Sequence, residues 1–303
     1  MKIPSLGILP VADAQAEPMD YIGICEASAA VALDDTHFVV ASNETNTFQI
    51  YRRGTAKPVQ ALKFKSFLGA ETSDIEAAAR IGDKVYWISS FSRPGDGGNA
   101  SGRSILFASR IVQTADGPTL EPIGPPFEGL RGYLKKELHR PGTDINIEGL
   151  AATPQGDLLI GFRAPLIDKM APVLRLTNPA AVTERGEEPR FGKPHRLDLD
   201  DHGIRSIDWT GLLPPVYLVL AGPEKDKGKT DKGEKISLYA WSGDDRPPVK
   251  LPPKFPKDFT AEALVFYPEK GLAQILSDDG KKGVKESDVP KKKRRFRSID
   301  VSY

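Results

Sequence analysis

The sequence predicts an all-β chain folded as a five-bladed β-propeller, and three observations carry that expectation. A short polar residue heads an apolar run in one recurring phrase: Cys25-Glu26-Ala27-Ser28, Ile75-Glu76-Ala77-Ala78, Ile147-Glu148-Gly149-Leu150, Arg205-Ser206-Ile207-Asp208 and Ala261-Glu262-Ala263-Leu264. Successive phrases lie 50 to 72 residues apart, which leaves room for one strand-rich unit per repeat. The chain ends supply the third observation. Four units carry a candidate outer strand (Gln60–Phe67, Thr119–Ile123, His195–Leu199, Pro248–Leu251), while the fifth runs out of chain after three. Ile3–Leu9 is then expected to supply the missing strand, closing the ring so that no first or last edge is left open.

Each unit justifies its strands in the same grammar of short β-branched, aromatic and aliphatic runs cut by tight turns. The first reads Ala29–Leu33, an Asp34-Asp35 turn, Phe38–Ser42, Thr47–Arg52 and Val59–Phe67. The second reads Ala77–Ile81, a Gly82-Asp83 turn, Lys84–Ser90, a Gly/Ser/Arg loop and Ser104–Ile111. The third gives Gly149–Thr153, a turn through Gly156-Asp157, Leu158–Arg163 and Val173–Thr177. The fourth gives Ile207–Trp209, a Pro214-Pro215 turn, Val216–Ala221 and Ile236–Trp241. The fifth gives Ala263–Tyr267, a turn at Pro268–Gly271, Leu272–Ser277 and Phe296–Ser302. Leu130–Leu138 fits one short helix in the long second repeat, and residues 1–303 are expected to form a single domain.

Composition narrows the function classes. Lys plus Arg is 42 against 41 for Asp plus Glu, so no global charge favours nucleic acid or an anionic membrane. The basic run Lys291–Arg295 lies between two strands of one blade and reads as a solvated loop. One cysteine, Cys25, excludes an internal disulfide and a cysteine zinc site, and its place beside Glu26 reads as a buried, inert thiol. No secretory core stands at Met1–Leu9 and no apolar run could span a bilayer, so a cytoplasmic, monomeric protein is expected. Gly222–Thr230 has one residue too many between glycines for a P-loop, and no G-x-S-x-G elbow occurs.

The recurring phrase carries the chemistry. Inner strands of a propeller meet around one axis, so Glu26, Glu76, Glu148, Ser206 and Glu262 are expected to form a ring of oxygens. Carboxylates about 5 Å apart repel by roughly 3 kcal/mol at an effective dielectric near 20. Such a ring either holds protons with raised pKa values or binds a cation. All-oxygen ligation favours a hard ion, Ca²⁺ in an irregular ring or Mg²⁺ in a nearly octahedral one. Loops at the same mouth carry Asn43, Glu44, Arg93, Arg163, Asp278 and Asp279. Arg93 and Arg163, with Asn43, are candidate ligands for a small anionic partner; Glu44, Asp278 or Asp279 is the candidate base.

The phrases EASAAVALDD, SDIEAAARIGDKVYWISS, NIEGLAATPQGDLLIGFR, GIRSIDW, EALVFYP and SDDG, spanning about Glu26 to Gly280, together resemble a bacterial family known as domain of unknown function 3616. That resemblance implies a propeller and no activity. More loosely, the one-per-blade Glu/Ser set is similar to that of the apyrase-type calcium-activated nucleotidases, five-bladed propellers with a central ion. Phytase-like propellers are similar at the same level. Two functions follow as expectations: a calcium-dependent hydrolase of an anionic, phosphate-type ester or anhydride, or a non-catalytic ligand- or protein-binding propeller with a structural channel ion. A glycosidase is a third option, needing two further carboxylates across a groove.

Overall fold

The computed structural model describes residues 17–302 except 94–101, 141–143, 225–235, 253–254, 257, 281–283 and 285. Strand β1 (Met19–Ile22) comes first in the chain but last in the architecture. Blade one is β2 (Ala29–Ala32), β3 (His37–Ala41), β4 (Thr47–Arg52) and β5 (Pro58–Lys63). Helix α1 (Lys65–Leu68) leads into blade two: β6 (Ile75–Ile81), β7 (Lys84–Ser89), β8 (Leu106–Thr114) and β9 (Gly117–Phe127). Helix α2 (Leu130–Glu137) matches the expected one. Blade three is β10 (Asn146–Ala152), β11 (Leu158–Ala164), β12 (Ala171–Leu176) and β13 (His195–Leu197), with α3 (Pro179–Arg185) between its last two strands. Blade four is β14 (Gly203–Trp209), β15 (Tyr217–Gly222), β16 (Ser237–Trp241) and β17 (Val249–Leu251). Blade five is β18 (Ala261–Tyr267), β19 (Leu272–Ser277), β20 (Arg295–Ser302) and, outermost, β1.

The ring is therefore five-bladed and closed by strands from both ends of the chain. The observed closing strand is Met19–Ile22, antiparallel to β20 with Tyr21 opposite Phe296. Ile3–Leu9, the segment expected there, lies outside the described residues. The aromatic content explains the choice of register. Tyr21 is buried, stacks on Phe296 at 5.2 Å and meets Phe38 and Tyr51 edge-on, so closure packs blade five against blade one.

Alternation along each strand divides the core among blade interfaces. On β7, Val85 and Trp87 face blade one, while Tyr86 and Ile88 face blade three. The remaining interfaces hold Ile204, Tyr217 and Trp241 (blades three and four), Leu220, Leu264 and Ile275 (four and five), and Tyr21, Val40 and Val265 (five and one). Helix α2 covers the outer end of the second interface with Leu130 and Leu134. Side chains committed to blade interfaces do not reach the axis, so the channel is lined by inner-strand backbone unless the register breaks. Among the described residues, no helix is long and apolar enough to cross a membrane.

Candidate functional site

The register breaks once in each inner strand of blades two to five. Pairing skips one residue between Ile75 and Ala77, between Ile147 and Gly149, between Ile204 and Ser206, and between Ala261 and Ala263. The residues set out of register are Glu76, Glu148, Arg205 and Glu262. A bulge re-aims a side chain that the pleat would otherwise send into a blade interface. Blade four therefore puts Arg205 on the ring, and the expected residue, Ser206, sits in regular pairing opposite Leu220. Counting back from Ala29↔Ala41, the ring position in blade one is Ser28, with Glu26 two residues earlier at the level of Asp74. The recurring phrase marked the right stretch of each strand, and a shift of one residue in blade four and of two in blade one changed which side chain points inward.

Blade three adds a second break on the facing strand. Pairing passes from Asn146↔Ala164 to Ile147↔Phe162 and skips Arg163, which is thereby turned toward Glu148. The Arg163 Nη1 donates to Glu148 Oε1 at 2.8 Å, and its Nε donates to the Pro223 carbonyl at 2.9 Å. Arg205 Nη1 donates to both oxygens of Glu262 at 2.9 Å and lies 3.8 Å from Glu148 Oε2. All four side chains are less than a tenth exposed. Glycine at 203 makes this neighbourhood possible, because a Cβ there would fall 2.1 Å from the Arg163 carbonyl oxygen.

The other side of the mouth is acidic. Glu76 is held by Asn43 Nδ2 at 3.4 Å and forms no salt bridge among the described residues. Burial pushes its carboxyl well above the usual range, and Asp74, Glu148 and Glu262 push it further. Glu26 bridges Asp278 across the closure of the ring. Its carboxyl is pushed up to about 8 by burial and then by Asp278, Glu44 and Glu286. Burial also lifts Glu262; Arg205 holds it down and Glu148 raises it again, for a net increase. Two oxygens here are buried and accept no hydrogen bond, Asn43 Oδ1 and Glu148 Oε2. No group of three or more His, Cys, Asp or Glu among the described residues forms a ready-made metal cage.

The loop candidates divide. Asp278 stays at the mouth beside Glu26, while Asp279 pairs with Arg297 on β20. Glu44 accepts a hydrogen bond from the Glu286 backbone N–H. Arg93 stands out in solvent, 70% exposed and paired with Asp144, remote in character from the buried ring. Sequence reasoning missed Arg205 and Glu286. Glu286 is buried, accepts the Cys25 N–H at 2.7 Å and lies 3.6 Å from Arg294. Arg205 was legible inside its phrase; Glu286 sits in a charged stretch with nothing to mark it.

No family model matches the sequence, and no curated protein matches it either. Solved propellers do resemble it. Glutaminyl cyclase from Myxococcus xanthus superposes with a TM-score of 0.52 at 10% identity, covering 94% of both chains. The PQQ-bound aldose sugar dehydrogenase of Streptomyces coelicolor gives 0.47 at 10% identity, covering 95% of this chain and 99% of its own. The RRP9 WD40 repeats give 0.43 at 10% identity, covering 96% and 99%. At such identity the first of these shows a β-propeller fold and nothing finer, so the resemblances to domain of unknown function 3616 and to the nucleotidase and phytase propellers gain no support from these comparisons.

Proposed function

We propose that this chain is a cation-binding propeller whose functional face is the acidic mouth of the channel, with Ca²⁺ as its ion. The observation that carries the reading is the pair of buried, unsatisfied oxygens, Asn43 Oδ1 and Glu148 Oε2, beside a Glu76 whose carboxyl is raised by Asp74, Glu148 and Glu262. A buried acceptor without a donor calls for a water or an ion. Oxygen donors of mixed type fit a hard cation with flexible coordination better than they fit zinc or copper. Asn43, Glu76 and Glu148 would hold the ion, which would neutralise the channel and join blades one, two and three.

The test compares unfolding in Ca²⁺, Mg²⁺ and EDTA. A ligand held only by the folded chain adds about 2.7 kcal/mol at a hundredfold excess over its Kd. Calcium should raise the Tm, magnesium less, and Glu76→Gln should abolish the gain. Identical melting in calcium and EDTA would sink the proposal.

A second reading, a calcium-dependent hydrolase of an anionic ester, has one observation in its favour. Glu26 holds a proton near neutrality beside Asp278 and Glu44, as a general acid would. Arg163 and Arg205 would meet the substrate's charge only by leaving Glu148 and Glu262, which is why binding ranks first. Turnover of nucleotide, phytate or aryl phosphate esters in calcium but not EDTA, lost in Glu26→Gln, would reverse that ranking.

A further inference from the structure

The channel has a second mouth, at the opposite ends of the inner strands. A cavity of about 680 Å³ opens there, within the size range of small-ligand sites, and every blade contributes to its wall. Val31 and Leu33 come from blade one, Arg80 from blade two, Ala152 from blade three, Asp208 and Trp209 from blade four, and Phe266 from blade five.

Asp208 is out of place in such a wall. Its carboxylate accepts one hydrogen bond, from the neighbouring Trp209 N–H at 2.8 Å, and forms no salt bridge among the described residues. The other charged groups of the cavity are already engaged. Asp34 accepts from Thr36 and His37, and Arg80 donates to the carbonyls of Ala32, Leu33 and Gly82. Asp35 is exposed at the rim. Behind Asp208, on β15, Tyr217 remains a neutral phenol because burial raises it, and the Arg175–Asp157 pair lies beyond. A carboxylate withdrawn from water and without a salt-bridge partner is a costly arrangement that a positively charged ligand relieves. The indole beside it offers a face that attracts the same kind of ligand.

We propose that this cavity binds a small organic cation of the primary-ammonium class, its N–H groups donating to Asp208 and its apolar body lying against Trp209. An ammonium supplies the charge and the donors that Asp208 lacks, and the aliphatic and aromatic wall accommodates a hydrocarbon group. The site is separate from the acidic mouth and does not depend on calcium. Burial pushes the Asp208 carboxyl up to about 8, so an ammonium must compete with a proton near neutrality.

Titration calorimetry of the full chain in EDTA tests this with phenethylammonium and its neutral isostere 2-phenylethanol. At pH 9 the ammonium should bind at least tenfold more tightly than the alcohol. Asp208→Asn should erase that preference, while Asp35→Asn at the rim changes it less than twofold. In the wild type, affinity should fall about thirtyfold from pH 9 to pH 6.5 as Asp208 takes up its proton. That arm holds even if the variant folds poorly. Equal binding of amine and alcohol, a flat pH profile, or no binding of the amine overturns the proposal.

Discussion

On the side of the mouth formed by blades three and four and the inner strand of blade five, each axial carboxylate faces a guanidinium: Glu148 has Arg163 and Glu262 has Arg205. On the side formed by blades five, one and two, Glu26 and Glu76 face Asp278, Glu44, Asp74 and the neutral Asn43. A bulge of the same kind presents Glu76 on one side and Glu148 and Glu262 on the other, so the bulge by itself does not cause the difference. Two residues do, Arg163 and Arg205, each displaced from regular pairing by a register break. The lesson is that one structural device can deliver either a self-neutralised network or an acidic cluster. The paired side is neutralised within the fold apart from Glu148 Oε2, which accepts no hydrogen bond, and the acidic side carries carboxyls whose charge no guanidinium of that pairing offsets.

The largest test of this contrast removes a cation from the paired side. Arg205→Met should leave Glu262 buried without its partner and cost about 3–5 kcal/mol in urea unfolding. Adding Glu262→Gln should restore most of that loss. A single variant as stable as the wild type would mean the network carries no structural weight.

On the acidic side the sign reverses. Glu76→Gln removes one charge from among like charges at nearly constant shape, so at pH 8 without calcium the Tm should hold or rise, by up to roughly 1 kcal/mol in stability. Destabilisation as large as that of Arg205→Met would erase the distinction between the two sides.

Smaller still is the expected dependence on pH. An unfolded glutamate titrates near about 4.3, whereas folded Glu26 keeps its proton up to about 8. Between those values the folded chain binds more protons, so its contribution is complete below the lower value and fades as pH rises through the upper one. Glu26 is only half-buried, so solvent screens most of that shift, and the Tm in EDTA should fall by a few degrees, on the order of 1 kcal/mol, between pH 5.5 and 8.5. Glu26→Gln should make that fall shallower, leaving the share that Glu76, Glu262 and Asp208 contribute with the same sign. A Tm that rises over the same interval would show that the acidic side is not strained by its own charge.

The smallest effect is expected where neither side is touched. Arg93 pairs with Asp144 in solvent, and Arg93→Ala should change stability by no more than about 0.5 kcal/mol. An effect above 2 kcal/mol, or loss of the calcium-dependent rise in Tm proposed above, would tie this loop to the ring after all.

The five-fold count, the strand runs and the helix at Leu130–Leu138 were legible in the sequence because they are local. Period-two alternation, turn residues and the spacing of the recurring phrase act within a few residues, and the blade follows from them. Closure of the ring by a strand from the N-terminal end was legible too, from the shortfall of one strand in the last blade, although the observed strand is Met19–Ile22.

What only the tertiary structure decided is which side chain in each phrase meets the axis. A strand has a side-chain period of two, so a single bulge exchanges the inward residue for its neighbour. In blade four that exchange puts Arg205 on the ring in place of Ser206, while in blade one, without a bulge, the register places Ser28 there and Glu26 two residues before it. Arg163, Glu286 and Asp208 acquire their surroundings from segments tens to hundreds of residues away. Charge at the axis is a sum over five strands, and pairing across blades, unlike alternation within one, leaves no mark in local sequence.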